Sequence, residues 1–203
     1  LMPAGTLIEQ RNRAAFALLL LTGIRVGALI SLRNQHLDTE GQNVFQDARE
    51  VRTKFSKTSR IYFIQDFSEA KAIVRDWERT QREVMLRGPD DPLFPSTEIE
   101  AVAGKGFQAT GLTRTFWKST GTLGTIVRGA FEVAGFPPFT PHSVRHMHAR
   151  RGLSSFENME QFKAHSENLG HEDISTTLNS YASLPEERRR QLILGEGIKC
   201  QDE

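Results

Sequence analysis

The C-terminal third of the chain contains residues whose types and spacing suit chemistry at a phosphate group. His142 and Arg145 are three residues apart, so they share one face of a helix that contains both. His171 follows Gly170, and Tyr181 comes ten residues later. A phosphodiester transfer without a metal ion needs a nucleophile, cations that hold the charge on the phosphate oxygens, and an acid for the leaving oxygen. Arginine suits the second role, because its planar guanidinium group can bind two phosphate oxygens at once.

The elements that must position these residues are mostly helices. Thr140 is a suitable N-cap and Pro141 a suitable first helical residue, so we predict a helix from about Pro141 that carries His142 and Arg145. Apolar periodicity and breaking residues predict further helices over residues 6–21, 25–32, 67–86, 112–120, 122–134, 155–169, 175–182 and 185–194.

Between residues 36 and 64 the pattern changes to short β-favouring runs, at Val44-Phe45, Val51 and residues 61–64. We predict two or three antiparallel strands there, with a basic turn between the last two. The Gly-, Ala- and Thr-rich stretch over residues 97–111 predicts a loop. The order of elements therefore predicts a mostly helical α+β domain with a small antiparallel sheet of about three strands.

Composition describes an ordinary globular chain of 203 residues, long enough for one sizeable core. The apolar run over residues 14–21 is too short to span a bilayer, and the single cysteine, Cys200, excludes an internal disulfide. We therefore expect a cytoplasmic protein without a membrane partner. The 26 basic and 25 acidic residues give a net charge of only +1, which gives no support to DNA binding. If DNA is the substrate, basic residues must gather on one face.

Four stretches of the chain, taken together, resemble the active-site motifs of the tyrosine recombinases. The pattern His-x-x-Arg-His, then Leu-Gly-His, then Thr-Thr and Tyr is similar to that family's signature. The stretch LLLLTGIRVGALISLRNQHLD is similar to its first motif, in which a Thr-Gly-x-Arg turn presents an essential arginine, here Arg25. The stretch TKFSKTSRIYFI is similar to its β-hairpin. The matches follow the family order from Leu18 to Tyr181, and their order makes them stronger than any one alone.

By that resemblance, Tyr181 is the expected nucleophile and forms a transient phosphotyrosine with DNA. Arg25 and Arg145 are expected to clamp the phosphate, while His142 and His171 hydrogen-bond it or relay protons. The covalent bond conserves the energy of the broken diester, so religation needs no ATP. The resemblance implies that the reaction uses neither a cofactor nor a metal ion. The interval from His171 to Tyr181 resembles integrases of phages and mobile elements more than chromosome-resolving recombinases.

The resemblance also implies that a lysine on the hairpin turn protonates the 5′-oxygen that leaves. Lys54 is preferred, because its gap to Arg60 on the second strand is close to the family's usual gap, and Lys57 is the alternative. Two positions depart from the family pattern. Ala28 stands where a glutamate normally supports the first arginine, and Ser183 stands where a histidine is frequent. Neither departure removes an expected catalytic group.

The domain organisation implied by the resemblance is a catalytic domain over residues 1–184 and a tail or helix over residues 185–203, which could dock on a neighbouring subunit. The family's N-terminal core-binding domain is expected to lie outside this chain. The implied partners are double-stranded DNA attachment sites, a homotetramer on DNA, and accessory DNA-bending or directionality proteins.

Two alternatives from other functional classes stay open. His142 and His146 are four residues apart, a metal-ligand spacing with His148 nearby, which would suit a metal-dependent hydrolase, although the helix lacks the glutamate of the zinc-peptidase pattern. A non-catalytic DNA-binding module of the same fold is the second alternative. We otherwise expect His146 to hold a loop or backbone carbonyl, and the role of His148 is left undecided.

Overall fold

The computed structural model describes residues 2–155, 158–171 and 186–194. In this part of the chain the helices are α1 (Leu7–Thr22), α2 (Val26–Leu29), α3 (Ser68–Arg79), α4 (Gly121–Val133), α5 (Pro141–Ser155), α6 (Met159–Asn168) and α7 (Glu186–Leu194). The strands are β1 (Leu37–Asp38), β2 (Asn43–Gln46), β3 (Ser59–Tyr62), β4 (Pro95–Val102) and β5 (Gly106–Phe116). The predicted class, mostly helical α+β with a small antiparallel sheet, is confirmed. No helix within the described ranges has the length and apolarity needed to cross a membrane.

Helix α1 lies at the centre of the core, as its apolar spacing predicted. Thr6 caps it: the Thr6 hydroxyl accepts a hydrogen bond from the Glu9 backbone N–H at 3.2 Å, and the Glu9 carboxylate accepts one from the Thr6 N–H at 2.9 Å. The helix packs against α3, α4 and α5. Its fully buried apolar residues are Ala14, Ala15, Leu18, Leu19 and Leu21.

The helix predicted over residues 25–32 is shorter than expected, because α2 ends at Leu29. The Ser31 hydroxyl lies within hydrogen-bond distance of the Gly27 and Ala28 carbonyls and accepts from the Arg52 N–H at 2.9 Å. These side-chain bonds compete with continued helix. The chain then turns toward the sheet, which brings the first motif and the hairpin together.

Strands β1, β2 and β3 form one antiparallel sheet in that order, with β2 in the centre. β2 and β3 pair from Asn43 opposite Tyr62 to Gln46 opposite Ser59. Val51 is not in a strand: its N–H donates to the Asp47 carbonyl at 2.8 Å in a turn, and its side chain is buried. The apolar Val51 side chain therefore packs in the core and is not part of a strand.

The predictions over residues 97–120 are wrong. The predicted loop and most of the predicted helix over residues 112–120 form a second sheet, in which β4 and β5 pair as a long hairpin. Gly104 and Gly106 stand at its tip with φ of +74° and +70°, the left-handed region that glycine adopts without strain. The pairing joins residues as far apart as Pro95 and Phe116, so no short sequence window contains it.

The base of this hairpin is anchored on α1 by a buried arginine. Arg11 donates from Nη1 to the Pro95 carbonyl at 2.5 Å and from Nη2 to the Thr97 hydroxyl at 3.0 Å. Its guanidinium carbon also lies 5.1 Å from the centre of the Trp117 ring. Tertiary contacts of this kind decide the conformation of a stretch whose own composition is ambiguous.

Candidate active site

Arg25 is presented by the turn between α1 and α2. Gly23 ends α1 with φ of +57°, and its N–H donates to the Leu19 carbonyl at 2.8 Å. Arg25 follows in an extended conformation as the N-cap of α2, and its Nη2 donates to the Gly170 carbonyl at 3.2 Å. The first motif therefore meets the Leu-Gly-His motif, 145 residues further along the chain.

Arg145 lies on α5 and is almost fully buried, with 8% of its surface exposed. Its Nη1 donates to the Gly23 carbonyl at 2.7 Å, and its Nη2 donates to the Leu169 carbonyl and lies 3.2 Å from His171 Nε2. One guanidinium group thus ties the α1–α2 turn to the segment that follows α6. The planar fork of arginine suits this position because it binds several acceptors in fixed directions.

The start of α5 determines why the Arg145 side chain points toward the α1–α2 turn and the segment after α6. The helix begins at Pro141, and the Thr140 hydroxyl accepts a hydrogen bond from the Ser143 N–H at 3.2 Å. The predicted N-cap and first helical residue are both confirmed. Because the cap fixes where the helix starts, it also fixes which residues face the core one turn later.

His171 lies where the two arginines meet, since Arg145 and Arg25 donate to the consecutive carbonyls of Leu169 and Gly170. Burial lowers the pKa of His171 to about 4, and the positive charges of Arg145 and Arg25 act in the same direction. The imidazole is therefore neutral at pH 7. Its Nε2 accepts from Arg145, so Nδ1 carries the proton.

A pocket of about 390 Å³ opens in front of His171. One wall is the hairpin that follows β2, and the other is the end of α6 with the segment after it. The residues that line it are Arg25, Ala28, Gln46, Thr53, Lys54, Phe55, Lys57, Thr58, Ser59, Glu167, Gly170 and His171. These residues include three cations and one carboxylate, so the pocket favours an anion. Basic residues therefore gather here despite the near-neutral charge of the whole chain.

Both candidate hairpin lysines line this pocket. Lys54 begins a short 3₁₀ turn, Lys54–Ser56, in which Phe55 and Ser56 have φ of 59° and 51°. The Lys54 ammonium lies 4.7 Å from the centre of the exposed Phe55 ring. This geometry brings Lys54 and Lys57 to the same wall and leaves the choice between them to experiment.

His142 lies on the exposed side of α5 and contacts His146 rather than the lining of the pocket. The two Nε2 atoms are 2.6 Å apart, so one ring donates to the other. Burial lowers the pKa of His146, and the neighbouring His142, Arg150 and Arg145 add to this effect. Within the described ranges, no group of three His, Cys, Asp or Glu side chains is placed to hold a metal ion.

His148, whose role the sequence left undecided, is fully buried and holds a backbone carbonyl. His148 Nε2 donates to the Leu20 carbonyl at 2.8 Å, and His165 Nε2 donates to the His148 carbonyl at 2.8 Å. The two rings stack at 6.5 Å. Sequence reasoning missed His165, because nothing near it in the sequence indicates which carbonyl it meets.

Tyr181, the expected nucleophile, lies outside the described residues, as do Ser183 and the helix predicted over residues 175–182. The structure thus brings together Arg25, Arg145, His171 and the hairpin lysines. His142 lies one helical turn before Arg145 and contacts His146 instead of these residues.

Comparison with known proteins identifies the family of this chain. Residues 3–188 match the model of the phage integrase family. The chain is a member of the phage integrase family. Among curated members of this family, the tyrosine recombinase XerD of Pseudomonas putida is 30% identical over 190 residues, which are 93% of this chain and 54% of that protein. The chain thus spans about half the length of the curated relatives it matches.

Solved structures of phage integrase family relatives share the fold. The XerA recombinase covers 94% of this chain, and this chain covers 60% of it, at a TM-score of 0.62 and 22% identity. The second structure is the Tn1549 transposon integrase in complex with transposon right end DNA. The aligned region is 94% of this chain and 60% of the integrase chain, with a TM-score of 0.55 and 20% identity. At these identities the likeness establishes the fold alone.

Proposed function

We propose that this chain is the catalytic domain of a site-specific recombinase, which cleaves and rejoins duplex DNA through a 3′-phosphotyrosine at Tyr181. The observation that carries the proposal is the meeting of Arg25 and Arg145 beside His171 in a cationic pocket. The recombinase names of the relatives and the DNA complex of the Tn1549 integrase support the same substrate class.

The two arginines have different tasks in this proposal. Arg145 is buried and held by the Gly23 and Leu169 carbonyls, so it is the fixed cation. Arg25 is half-buried and makes one longer bond to Gly170, so it can turn further N–H groups toward a phosphate. Together they would hold the charge that grows on the phosphate oxygens in the transition state, at about 3 kcal/mol for each donor group.

His171 is a neutral hydrogen-bonding group before DNA arrives. A phosphate in the pocket would bring negative charge next to it, and this favours the protonated imidazole. His171 could then donate to a phosphate oxygen or return a proton. We propose that His142, one turn before Arg145, joins the phosphate in the DNA complex.

The leaving 5′-oxygen needs a proton, and a hairpin lysine is the proposed donor. In this step the Tyr181 phenol loses its proton, which leaves to solvent by way of the neutral His171, and the bond from the Tyr181 oxygen to phosphorus forms. The bond from phosphorus to the 5′-oxygen breaks, and the lysine gives its proton to that oxygen. We prefer Lys54, with Lys57 as the alternative. No cofactor or metal ion is required by this scheme.

Covalent capture tests the proposal directly. The whole chain is incubated with a pool of nicked duplexes of randomised sequence, whose nick lets the broken strand diffuse away, and adducts that survive denaturant are isolated and sequenced. We expect adducts whose modified peptide, located by mass spectrometry, contains Tyr181. The Tyr181→Phe variant should give none while it binds DNA with unchanged affinity.

Three results would contradict the proposal. An adduct on another residue refutes the nucleophile, and the absence of any adduct from the pool favours a non-catalytic DNA-binding module of the same fold. Loss of cleavage on addition of EDTA would favour the metal-dependent hydrolase.

The narrower proposal is integration and excision of a phage or other mobile element. The interval from His171 to Tyr181 supports it, whereas the relatives named XerC and XerD favour a Xer-type, chromosome-resolving recombinase. The captured sequences separate the two roles. A match to the ends of an integrated element supports integration, and a match to one chromosomal locus away from any element supports the alternative.

We also propose that residues 1–184 act as the catalytic unit and that residues 185–203, which include α7, dock on a neighbouring subunit of a DNA-bound homotetramer. Deletion of residues 185–203 should then reduce tetramers on captured DNA more than adduct formation. Normal tetramers from the shortened chain, measured by light scattering, would exclude the docking role.

A further inference from the structure

The side chain of Asn168 joins the two walls of the pocket. Asn168 is the last residue of α6 and comes directly before the segment that contacts both arginines. Its Oδ1 accepts a hydrogen bond from the Tyr62 N–H at 2.7 Å, and its Nδ2 donates to the Tyr62 carbonyl at 3.0 Å. Tyr62 is the last residue of β3, the outer strand of the three-stranded sheet.

These two bonds need a carboxamide. The Phe63 N–H bonds inward, to the Gln42 carbonyl at 2.8 Å, so the polar groups of Tyr62 face away from β2 at the edge of the sheet. An edge strand presents such groups unpaired, and Asn168 supplies one acceptor and one donor in a single plane, as a further strand would. An aspartate could accept but not donate, and its second oxygen would face the Tyr62 carbonyl.

The bonds connect parts of the site that come from distant parts of the sequence. Strand β3 leads back to the turn that carries Lys54 and Lys57, and this turn is tied to its own sheet by the Gln46 amide, which donates to the Ser59 hydroxyl at 3.1 Å. Contacts within the hairpin preserve its shape, but they do not set its distance from His171. The bonds between Asn168 and Tyr62 join α6 directly to β3, and they help to set that distance together with the bond from the Ile64 N–H to the Leu21 carbonyl at 3.0 Å, which ties the same end of the strand to α1.

We propose that Asn168 is a positioning residue that holds the hairpin lysine at the leaving oxygen of the phosphate that the arginines grip. This inference rests on the proposed function. A general acid acts only within hydrogen-bond reach of its target, and a misplacement of about 1 Å can cost about 100-fold in rate. Loss of Asn168 therefore slows protonation of the leaving group and leaves the grip on DNA intact.

The test uses a duplex whose sequence comes from the covalent capture experiment, prepared with either oxygen or sulfur at the leaving 5′ position. The single-turnover cleavage rates of these two substrates are compared. A thiol is far more acidic than an alcohol, so a thiolate leaves without a proton donor. A variant that lacks only the proton transfer is slow on the oxygen substrate and normal on the sulfur substrate. A variant whose arginines or fold are disturbed is slow on both.

We expect Asn168→Leu and Asn168→Asp to lower the rate on oxygen by about tenfold or more, and to stay within about twofold of the unmodified chain on sulfur. Lys54→Ala should show the same pattern, or Lys57→Ala if that lysine is the acid. Asn168→Gln, which keeps both hydrogen-bonding groups, should recover part of the oxygen rate. DNA affinity should be unchanged in the Asn168 variants, whereas the lysine variants lose a cation of the pocket and should bind DNA less tightly.

Phe162→Leu is the matched structural control, because Phe162 is buried on α6 and takes no part in the bonds to Tyr62. It should lower the melting temperature and change the two rates by the same factor. Equal losses on both substrates for Asn168→Leu, with a similar drop in melting temperature, would overturn the positioning role. If the unmodified chain forms no adduct, the proposed function itself fails, and this outcome is distinct from a failure of Asn168 alone.

Discussion

At the scale of single residues, Arg25 and Arg145 have the same charge but different surroundings. Arg145 is buried and bonds two carbonyls and a histidine, whereas Arg25 is half-exposed and bonds one carbonyl. The sequence pointed to both positions through their motifs. It did not indicate that one of them also holds the fold together, because the carbonyls that it meets come from other parts of the chain.

Alanine variants should therefore separate stability from catalysis. Arg145→Ala leaves buried carbonyls without partners, so it should lower the free energy of unfolding by about 2 kcal/mol or more as well as abolish adduct formation. Arg25→Ala should abolish adduct formation with a stability change below about 1 kcal/mol. Urea titration and covalent capture measure the two effects. Equal stability losses would show that Arg25 is also structural.

His171 should respond to an anion in the pocket. Its pKa is about 4 because of burial and the adjacent Arg145 and Arg25 charges. Inorganic phosphate bound between these groups favours the protonated ring, so the pKa should rise. NMR titration of His171, with and without phosphate, measures the change. His36, which lies outside the pocket lining, serves as the reference, and an equal rise at both histidines would point to a general salt effect.

At the scale of elements, the end of α1 determines how the first motif reaches the site. Gly23 has a left-handed conformation, and a Cβ at this position would lie 3.0 Å from the His148 ring and from Leu169. The turn is therefore packed between α5 and the end of α6, and this packing places Arg25 where its side chain reaches the Gly170 carbonyl. The Thr-Gly pair marked the break in sequence, but the two neighbours that crowd it are visible only in the fold.

Gly23→Ala should destabilise the chain by about 1–2 kcal/mol or more, because it combines an unfavourable φ with a close contact. Adduct formation should fall with it, since Arg25 moves with the turn. Gly27→Ala is the matched control: a Cβ there meets the Arg52 carbonyl at an ordinary 3.7 Å and no positive φ is required. Thermal unfolding compares the two variants, and similar melting temperatures would contradict a special role for Gly23.

At the scale of the whole molecule, buried histidines tie the helices together. His148 on α5 holds the end of α1 through Leu20, and His165 on α6 holds α5 through the His148 carbonyl. Burial lowers the pKa of His148 to about 4. The folded core that supports the site therefore depends on a neutral imidazole.

This arrangement predicts a stability loss in acid. Above pH 6.5 His148 is neutral in both the folded and the unfolded chain, so it contributes no pH dependence. Between about pH 6.5 and 4 the unfolded chain binds the proton first, and the free energy of unfolding falls, by about 3 kcal/mol for the full shift. Below pH 4 this loss levels off.

His148→Phe should make urea unfolding less dependent on pH between 7 and 5, whatever its effect on absolute stability. The matched control is Met147→Phe on the exposed side of the same helix, which removes no titratable group and should keep the dependence of the unmodified chain. Parallel pH profiles for His148→Phe and the unmodified chain would rule out His148 as the source.

The sequence alone indicated the family, the helical character and most residues of the candidate site, because motifs, caps and apolar periodicity each depend on a few consecutive residues. Thr6, Thr140 and Pro141 mark helix starts in this way. The tertiary structure decided what depends on distant partners: the β4–β5 hairpin, the buried His148 and His165, and the clamp of Asn168 on Tyr62. The bonds of His165 to His148, of Asn168 to Tyr62 and of His148 to Leu20 join residues 17, 106 and 128 positions apart, and only the packed core specifies which side chains meet across such distances.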